Sequence, residues 1–266
     1  RTGLLAPTLG YDDRNGFEYE QPIYLNLAPN YDATLKPRWM AERGLMLGAE
    51  FRYLTERSRG EIDGTWLPDD DLTGHDRGLV ALQHPTAISP NWYASANLNH
   101  VSDDRYFEAF GTSLANASIS LLASQPRIYG RGLGWNASLA AQDWQIASPA
   151  VLPGTEPYRR LPTAQAAWSR HYLPWLELGA YGEGVRFEHE SLDGGNRLDL
   201  RPYVRLPFGG AAWFLTPQFA WRYTAYSLDD GLVAPGNSDS PDRSVPVTSL
   251  DAGAYFEREF SWGESG

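Results

Sequence analysis

From Trp213 to Thr224 the side chains alternate in kind: Trp213, Leu215, Phe219, Trp221 and Tyr223 share one parity, and Thr216, Gln218, Arg222 and Thr224 the other. A period of two belongs to an extended chain with one apolar and one polar face. The pattern recurs. Ala33, Leu35, Pro37 and Trp39 oppose Asp32, Thr34, Lys36 and Arg38. Leu45, Leu47, Ala49, Phe51 and Tyr53 oppose Met46, Glu50 and Arg52, and Leu198, Leu200, Val204 and Leu206 oppose Asp199, Arg201 and Arg205. About fourteen such strands are expected, most near the ~9–11 residues that cross a bilayer at a tilt. Their spans read as 3–13, 16–28, 31–40, 45–54, 58–67, 77–85, 91–101, 113–124, 132–147, 161–171, 175–189, 196–207, 212–227 and 247–260. The connections alternate too. Those after Pro68 (Asp69 to Asp76), after Val101 (Ser102 to Ser113), after Ala147 and after Leu228 are long and polar; Ala28 to Asn30, Thr55 to Ser58 and Pro207 to Ala211 are short. Long loops at one end and tight turns at the other describe an antiparallel up-and-down barrel crossing a bacterial outer membrane.

No shift of composition divides the 266 residues, so residues 1–266 read as one partial barrel domain. No apolar run approaches the ~20 residues of a membrane helix. A mean hydropathy of −0.44 does not contradict a membrane, because a barrel spreads its apolar residues over alternate positions. A net charge of −11 argues against nucleic acid as a partner. Cysteine is absent, which removes thiolate metal sites and disulfides. Arg1-Thr2-Gly3-Leu4 opens directly on a strand with no export signal, and the chain is therefore expected to be a piece of a longer precursor. Trp39, Tyr53, Trp66, Trp92, Trp175, Tyr203, Tyr226 and Trp262 fall near strand ends, where an aromatic girdle would sit. Pro22, Pro37, Pro202 and Pro217 lie inside strand patterns, where each removes a ladder donor.

Motifs for chemistry fail their context. Gly130-Arg131-Gly132-Leu133-Gly134 is followed by no helix and reads as a turn and strand start, not a phosphate loop. The five histidines lack metal-ligand spacing, and Glu188-His189-Glu190 reads as a solvated loop base. Asp69-Asp70-Asp71 with Asp76 lacks the spacing of a calcium loop and reads as a solvated acidic loop. His100-Val101-Ser102-Asp103 has a histidine two residues before a serine, as in outer-membrane phospholipases, but a strand ending in a loop accounts for it. No cofactor, metal or enzymatic activity is expected.

Two segments carry a specific resemblance. Arg1 to Pro7, Pro22 to Pro37, Arg43-Gly44 and Glu50-Phe51-Arg52-Tyr53-Leu54 resemble the first four barrel strands of the LptD family of lipopolysaccharide-assembly outer-membrane proteins. Pro246 to Phe260, with Phe256-Glu257-Arg258-Glu259, is similar to a mid-barrel strand of that family. The resemblance implies the first half of a barrel of about 26 strands. The jelly-roll domain that precedes the barrel in the family, its closing strands and its interdomain cysteines lie outside this sequence. It further implies a translocon in the outer membrane of a Gram-negative bacterium, working with lipopolysaccharide, a plug lipoprotein in the lumen and a periplasmic transport bridge reached through the jelly roll. Lipopolysaccharide would leave through a lateral gate between the first and last strands. Pro7 and Pro22, with the family's separation and flanks, would be the gate prolines.

On the polar parity, Glu18, Glu20, Asp32, Lys36, Arg38, Glu50, Arg52, Glu61 and Asp63 are expected to line the lumen. Two other classes remain open at this point: a porin-like channel, which has no need of gate prolines, and a secreted carbohydrate-binding or glycosidase β-domain, which would bury one face in a shared core and show a carboxylate pair.

Overall fold

The computed structural model of the protein describes residues 1–111, 118–229, 231 and 237–258. Expectations that fall on 113–117, on 259–260 and on Trp262 lie outside the described residues. The chain forms β1 (Gly3–Leu4), β2 (Thr8–Asp12), β3 (Gly16–Glu20), β4 (Ile23–Ala28), β5 (Tyr31–Met40), β6 (Gly44–Leu54), β7 (Arg59–Leu67), β8 (Arg77–Ala87) and β9 (Trp92–Val101). A short helix α1 (Tyr106–Phe110) follows, then β10 (Leu121–Gly132), β11 (Trp135–Ile146), β12 (Arg159–Leu173), β13 (Leu176–Glu188), β14 (Gly195–Arg205), β15 (Phe208–Gly210), β16 (Trp213–Leu228) and β17 (Asp242–Ala254). All registers are antiparallel between sequence neighbours, and the sheet is unclosed. β1 with β2, β3 with β4, and β14 with β15 are halves of single broken strands, which reduces seventeen segments to fourteen strands. This is part of a large up-and-down barrel.

Alternation becomes rows once the register is fixed. Leu25, Ala33, Phe51, Ile62, Leu82 and Leu98 stand side by side across six strands. The adjacent row runs Asp32, Arg52, Glu61, Gln83, Asn97 and Gln125. On the other half, Ser138, Gln165, Glu183, Asp199, Thr224 and Arg243 form a second polar row. A one-residue slip would interchange the two faces at every strand, so the pattern itself holds the register. The apolar face leaves large side chains exposed, among them Trp66, Val80, Trp213, Phe219 and Trp221. Such a surface is one that hydrocarbon, not water, would cover. Its tryptophans gather toward the strand ends, with Trp39 and Trp66 near one rim and Trp92, Trp135 and Trp213 near the other.

Each strand break lies opposite a proline. Leu206 N–H donates to Pro217 O at 2.9 Å, Pro217 has no N–H to return, and β14 gives way to β15 there. The breaks in the first two strands follow the same rule and are taken up below.

Several boundaries differ from expectation. Of the strand expected at 113–124, only 121–124 are strand among the described residues, as the start of β10, which runs on to Gly132. Gly130 to Gly132 closes that strand, and the turn follows at 133–134. The last strand runs Asp242–Ala254 instead of 247–260, pairing Val245 and Val247 with β16. Pro207 to Ala211 is no turn: Phe208–Gly210 continues the strand against β16, and the chain reverses at 211–212. Tyr203 and Tyr226 do not join the girdle. Tyr203 donates its hydroxyl hydrogen to Glu177 on the polar face at 2.8 Å, and Tyr226 stands opposite Arg197 there.

The two faces of β16 make a direct test. A lysine on the hydrocarbon face at mid-membrane costs about 2–4 kcal/mol and much less on the polar face. Phe219→Lys in the full-length protein is expected to cut the assembled barrel in membranes sharply, with Gln218→Lys near wild type by immunoblot. Equal loss from both would refute the assignment of faces.

Candidate functional site

The first three strands meet at a level where hydrogen bonds are missing. In an antiparallel pair the N–H and C=O of one residue point to the same neighbour, and a bonded pair exchanges both. Leu5 N–H donates to Pro22 O at 2.9 Å, and Pro22 cannot return the bond. One residue earlier the deficit repeats on the other side: Gln21 N–H donates to Pro37 O at 3.1 Å, and Pro37 returns nothing. The second strand thus lacks one ladder bond toward each neighbour at adjacent residues, and it breaks there into β3 and β4. Pro7 lies in the matching gap between β1 and β2, where the register slips by one: Leu4 faces Ile23, yet Thr8 faces Glu20. Pro7 and Pro22 therefore lie at one level of one seam.

The polar face beside this seam carries the expected charged residues, and most of them pair. Arg38 donates to Glu18 at 2.7 Å, Lys36 to Glu50 at 2.6 Å with Asp63 at 3.6 Å, and Arg52 to Asp32 at 2.8 Å with Glu50 at 3.5 Å. Glu20 stands opposite Arg38, and Glu61 opposite Arg52. The nine form one ladder of mixed sign across four strands.

Above the seam the first hairpin is tied down. Asp12 accepts from the backbone N–H of Arg14 and Asn15, both at 2.7 Å, and closes the turn. Gly16, at φ 72°, takes the left-handed conformation that ends it. Asn15 is buried: its Oδ1 accepts from Arg43 Nε at 2.6 Å, and its Nδ2 donates to Ala109 O at 3.2 Å. Arg14 donates to Glu108 O at 2.9 Å. Both partners belong to α1, so the loop between β9 and β10 holds the hairpin tip.

That loop lies against the polar face. Tyr106, Phe107 and Phe110 are buried with Met40, Met46, Leu67 and Val101, and the Tyr106 hydroxyl bonds Thr65. The guanidinium groups of Arg43 and Arg77 both lie over the Phe110 ring, 5.1 and 4.6 Å from its centroid. Asp70, with no exposed surface, accepts from Arg43 at 2.6 Å and from Arg77 at 3.4 Å. Arg77 then grips Asp103 with two bonds, at 2.9 and 2.7 Å. Burial raises the affinity of the Asp103 carboxyl for a proton, but bonds from Arg77, the Ser102 hydroxyl and Arg105 N–H outweigh it and hold the group below the ordinary carboxylate value. A depressed value means the stabilisation is present at neutral pH and fades only as pH falls below the ordinary carboxylate range.

A sequence profile described as LPS transport system D (LptD) matches residues 75–266. The chain belongs to the LptD family. Proteins named LPS-assembly protein LptD from Xanthomonas oryzae and Xanthomonas euvesicatoria are 45% and 46% identical over 98% of this chain. One from Xylella fastidiosa is 43% identical over 97%. The chain spans 36% of the length of these LptD relatives. The resemblance read from residues 1–54 and 246–260 thus extends to the whole chain.

Two sequence readings are corrected here. Asp69, Asp71 and Asp76 are exposed as a solvated acidic loop requires, but Asp70 is not: it is the buried centre of the clamp. In Glu188-His189-Glu190 the two glutamates are solvated but the histidine is not: its side chain is 1% exposed, its Nδ1 accepts from Ser191 and Leu192 N–H, and its Nε2 donates to Glu156 O. Ser102 is committed to Asp103 and to Gly78 N–H, which leaves no hydrolase pair with His100. The clamp residues Asn15, Arg43, Asp70, Arg77 and Phe110 escaped notice because their partners come from distant parts of the chain.

Removing one partner of a buried pair is strongly destabilising, by about 3–5 kcal/mol. Asp70→Ala in the full-length protein is expected to speed tryptic cleavage after the exposed Arg105 at least roughly tenfold, since two cations lose their shared carboxylate. An unchanged cleavage rate would mean that Asp70 does not hold the loop.

Proposed function

We propose that the intact protein assembles lipopolysaccharide at the outer membrane of a Gram-negative bacterium, delivering it to the outer leaflet through a lateral gate beside the first strand. One observation carries this reading: two lost ladder bonds and a register slip fall at one level, at Pro22, Pro37 and Pro7, on the first three strands, the first of which would border the gate. A seam with fewer hydrogen bonds parts with less work. A diffusion channel or a secreted sugar-binding domain has no use for such a line of weakness.

The rest of the chain supports the same reading. The apolar face fits hydrocarbon, and the polar face, with Glu18, Glu20, Asp32, Lys36, Arg38, Glu50, Arg52, Glu61 and Asp63, fits a hydrated lumen that holds a plug lipoprotein and passes an anionic glycolipid. The long connections 68–76, 102–120, 147–158 and 229–241 all leave the same end of the sheet, and in this reading that end faces out of the cell. A periplasmic bridge would reach the barrel through the jelly-roll domain that precedes it in the family. No catalytic step is required: the work is partition of a lipid between two compartments.

Replacing Pro7 and Pro22 together with alanine gives the seam two N–H groups, one of them facing Leu5. Each bond formed contributes about 0.5–1.5 kcal/mol. The double variant is expected to reach normal barrel levels but to deliver less lipopolysaccharide, seen as greater sensitivity of cells to large hydrophobic antibiotics. Normal barrel levels with an unchanged permeability barrier would contradict the gate.

A further inference from the structure

Gln21 is a polar residue in an apolar row. Its register neighbours are Pro37, Leu47 and Trp66, and the residues two before and two after it on its strand are Tyr19 and Ile23. A carboxamide on a face suited to hydrocarbon is unfavourable unless every polar atom finds a partner. Here each does. Nε2 donates one hydrogen to Leu5 O at 2.9 Å and the other to Pro22 O at 3.1 Å, while Oε1 accepts from the Tyr19 hydroxyl at 3.0 Å. Carbonyl oxygens can only accept and the hydroxyl donates here, so the orientation of the amide is fixed by its partners.

The acceptor matters most. Leu5 O is the atom that a residue 22 with an N–H would have bonded, since Leu5 N–H already donates to Pro22 O. We propose that the Gln21 side chain is a latch across the proline break: it supplies to Leu5 the hydrogen bond that Pro22 withholds, and holds the first strand below Pro7 to the second until that bond is released. A backbone N–H in this place would be fixed to the ladder. A side-chain amide can rotate away about three single bonds without moving the strand. The seam thereby gains at rest a bond that is released by rotation of a side chain, which leaves the main-chain bond from Leu5 N–H to Pro22 O as the one still to be broken at this level.

The chemistry of the latch stands on the contacts alone, and its consequence for lipid delivery rests on the gate proposed above. Hydrogen–deuterium exchange on the full-length protein in detergent separates the two. Gln21→Leu is expected to speed exchange of the Leu5 N–H roughly fivefold, with the amides of β2 and β3 unchanged, because of its three side-chain bonds the one that joins the two strands is lost. Gln21→Asn, one methylene shorter, should behave alike and carries the test if the leucine variant assembles poorly. Adding Pro22→Ala to Gln21→Leu returns a main-chain donor to Leu5 O and should bring exchange back to the wild-type rate. Unchanged exchange in Gln21→Leu and Gln21→Asn, or a double variant as fast as the single, overturns the latch. Fast exchange and rescue, with an unaltered antibiotic barrier in all three strains, leaves the latch standing and removes the gate.

Discussion

An antiparallel ladder is held by bonds given in pairs, and a proline can complete only half of a pair. This limit shapes the first three strands. Pro22 takes a bond from Leu5 and Pro37 takes one from Gln21, and neither returns it. The second strand is left with a deficit on both sides at consecutive residues, and there the regular pairing stops. The same cause acts where Leu206 meets Pro217, so each break lies opposite a proline, although Pro85, Pro202 and Pro246 sit within unbroken strands. At the first strands the deficits fall at one level, and in the proposed gate that level is where the wall would yield.

A weak line is useful only if the rest of the wall does not follow it. The tip of the first hairpin is pinned by Asn15 and Arg14 to α1, and α1 is in turn pinned by a buried charge cluster and an aromatic ring in contact with two guanidinium groups. Buried ion pairs are weak evidence for net stability, since desolvation offsets much of the attraction. They are strong determinants of geometry, because a lone charge left behind is severely penalised. The cluster of Arg43, Asp70, Arg77 and Asp103 therefore fixes where the loop sits. In the proposed gate, deformation would be confined to the part of the seam below the prolines, between a pinned tip and a ladder with missing rungs.

Much of this could be read from the chain. Phe51 and Ile62 announced an apolar row, and Asp32 and Arg52 a polar one, because a pleated strand exposes its period directly. The prolines inside strand patterns were visible as well. Which neighbour each proline deprives was not, since that requires the register. Asp70 sat in an acidic run and looked solvated; its cations, Arg43 and Arg77, are identifiable only after folding brings the loop onto the wall. The loop aromatics Tyr106, Phe107 and Phe110 fell in a connection read as long and polar, and their inward packing shows only once the loop is folded onto the wall. Gln21 offered one signal, a polar residue on an apolar parity, and its meaning came only with Leu5 O at 2.9 Å.

The central claim is that the first strand yields below the proline break while the hairpin above it stays paired. Reversible disulfides across the two halves test it most directly in the full-length protein in cells. Leu4 and Ile23 face each other below the break, and Tyr11 and Phe17 above it. Cysteines at Leu4 and Ile23, once oxidised, are predicted to stop delivery of lipopolysaccharide to the cell surface, with recovery on reduction. Cysteines at Tyr11 and Phe17 are predicted to leave delivery unchanged whether oxidised or reduced. Full delivery with the lower pair locked would contradict the account.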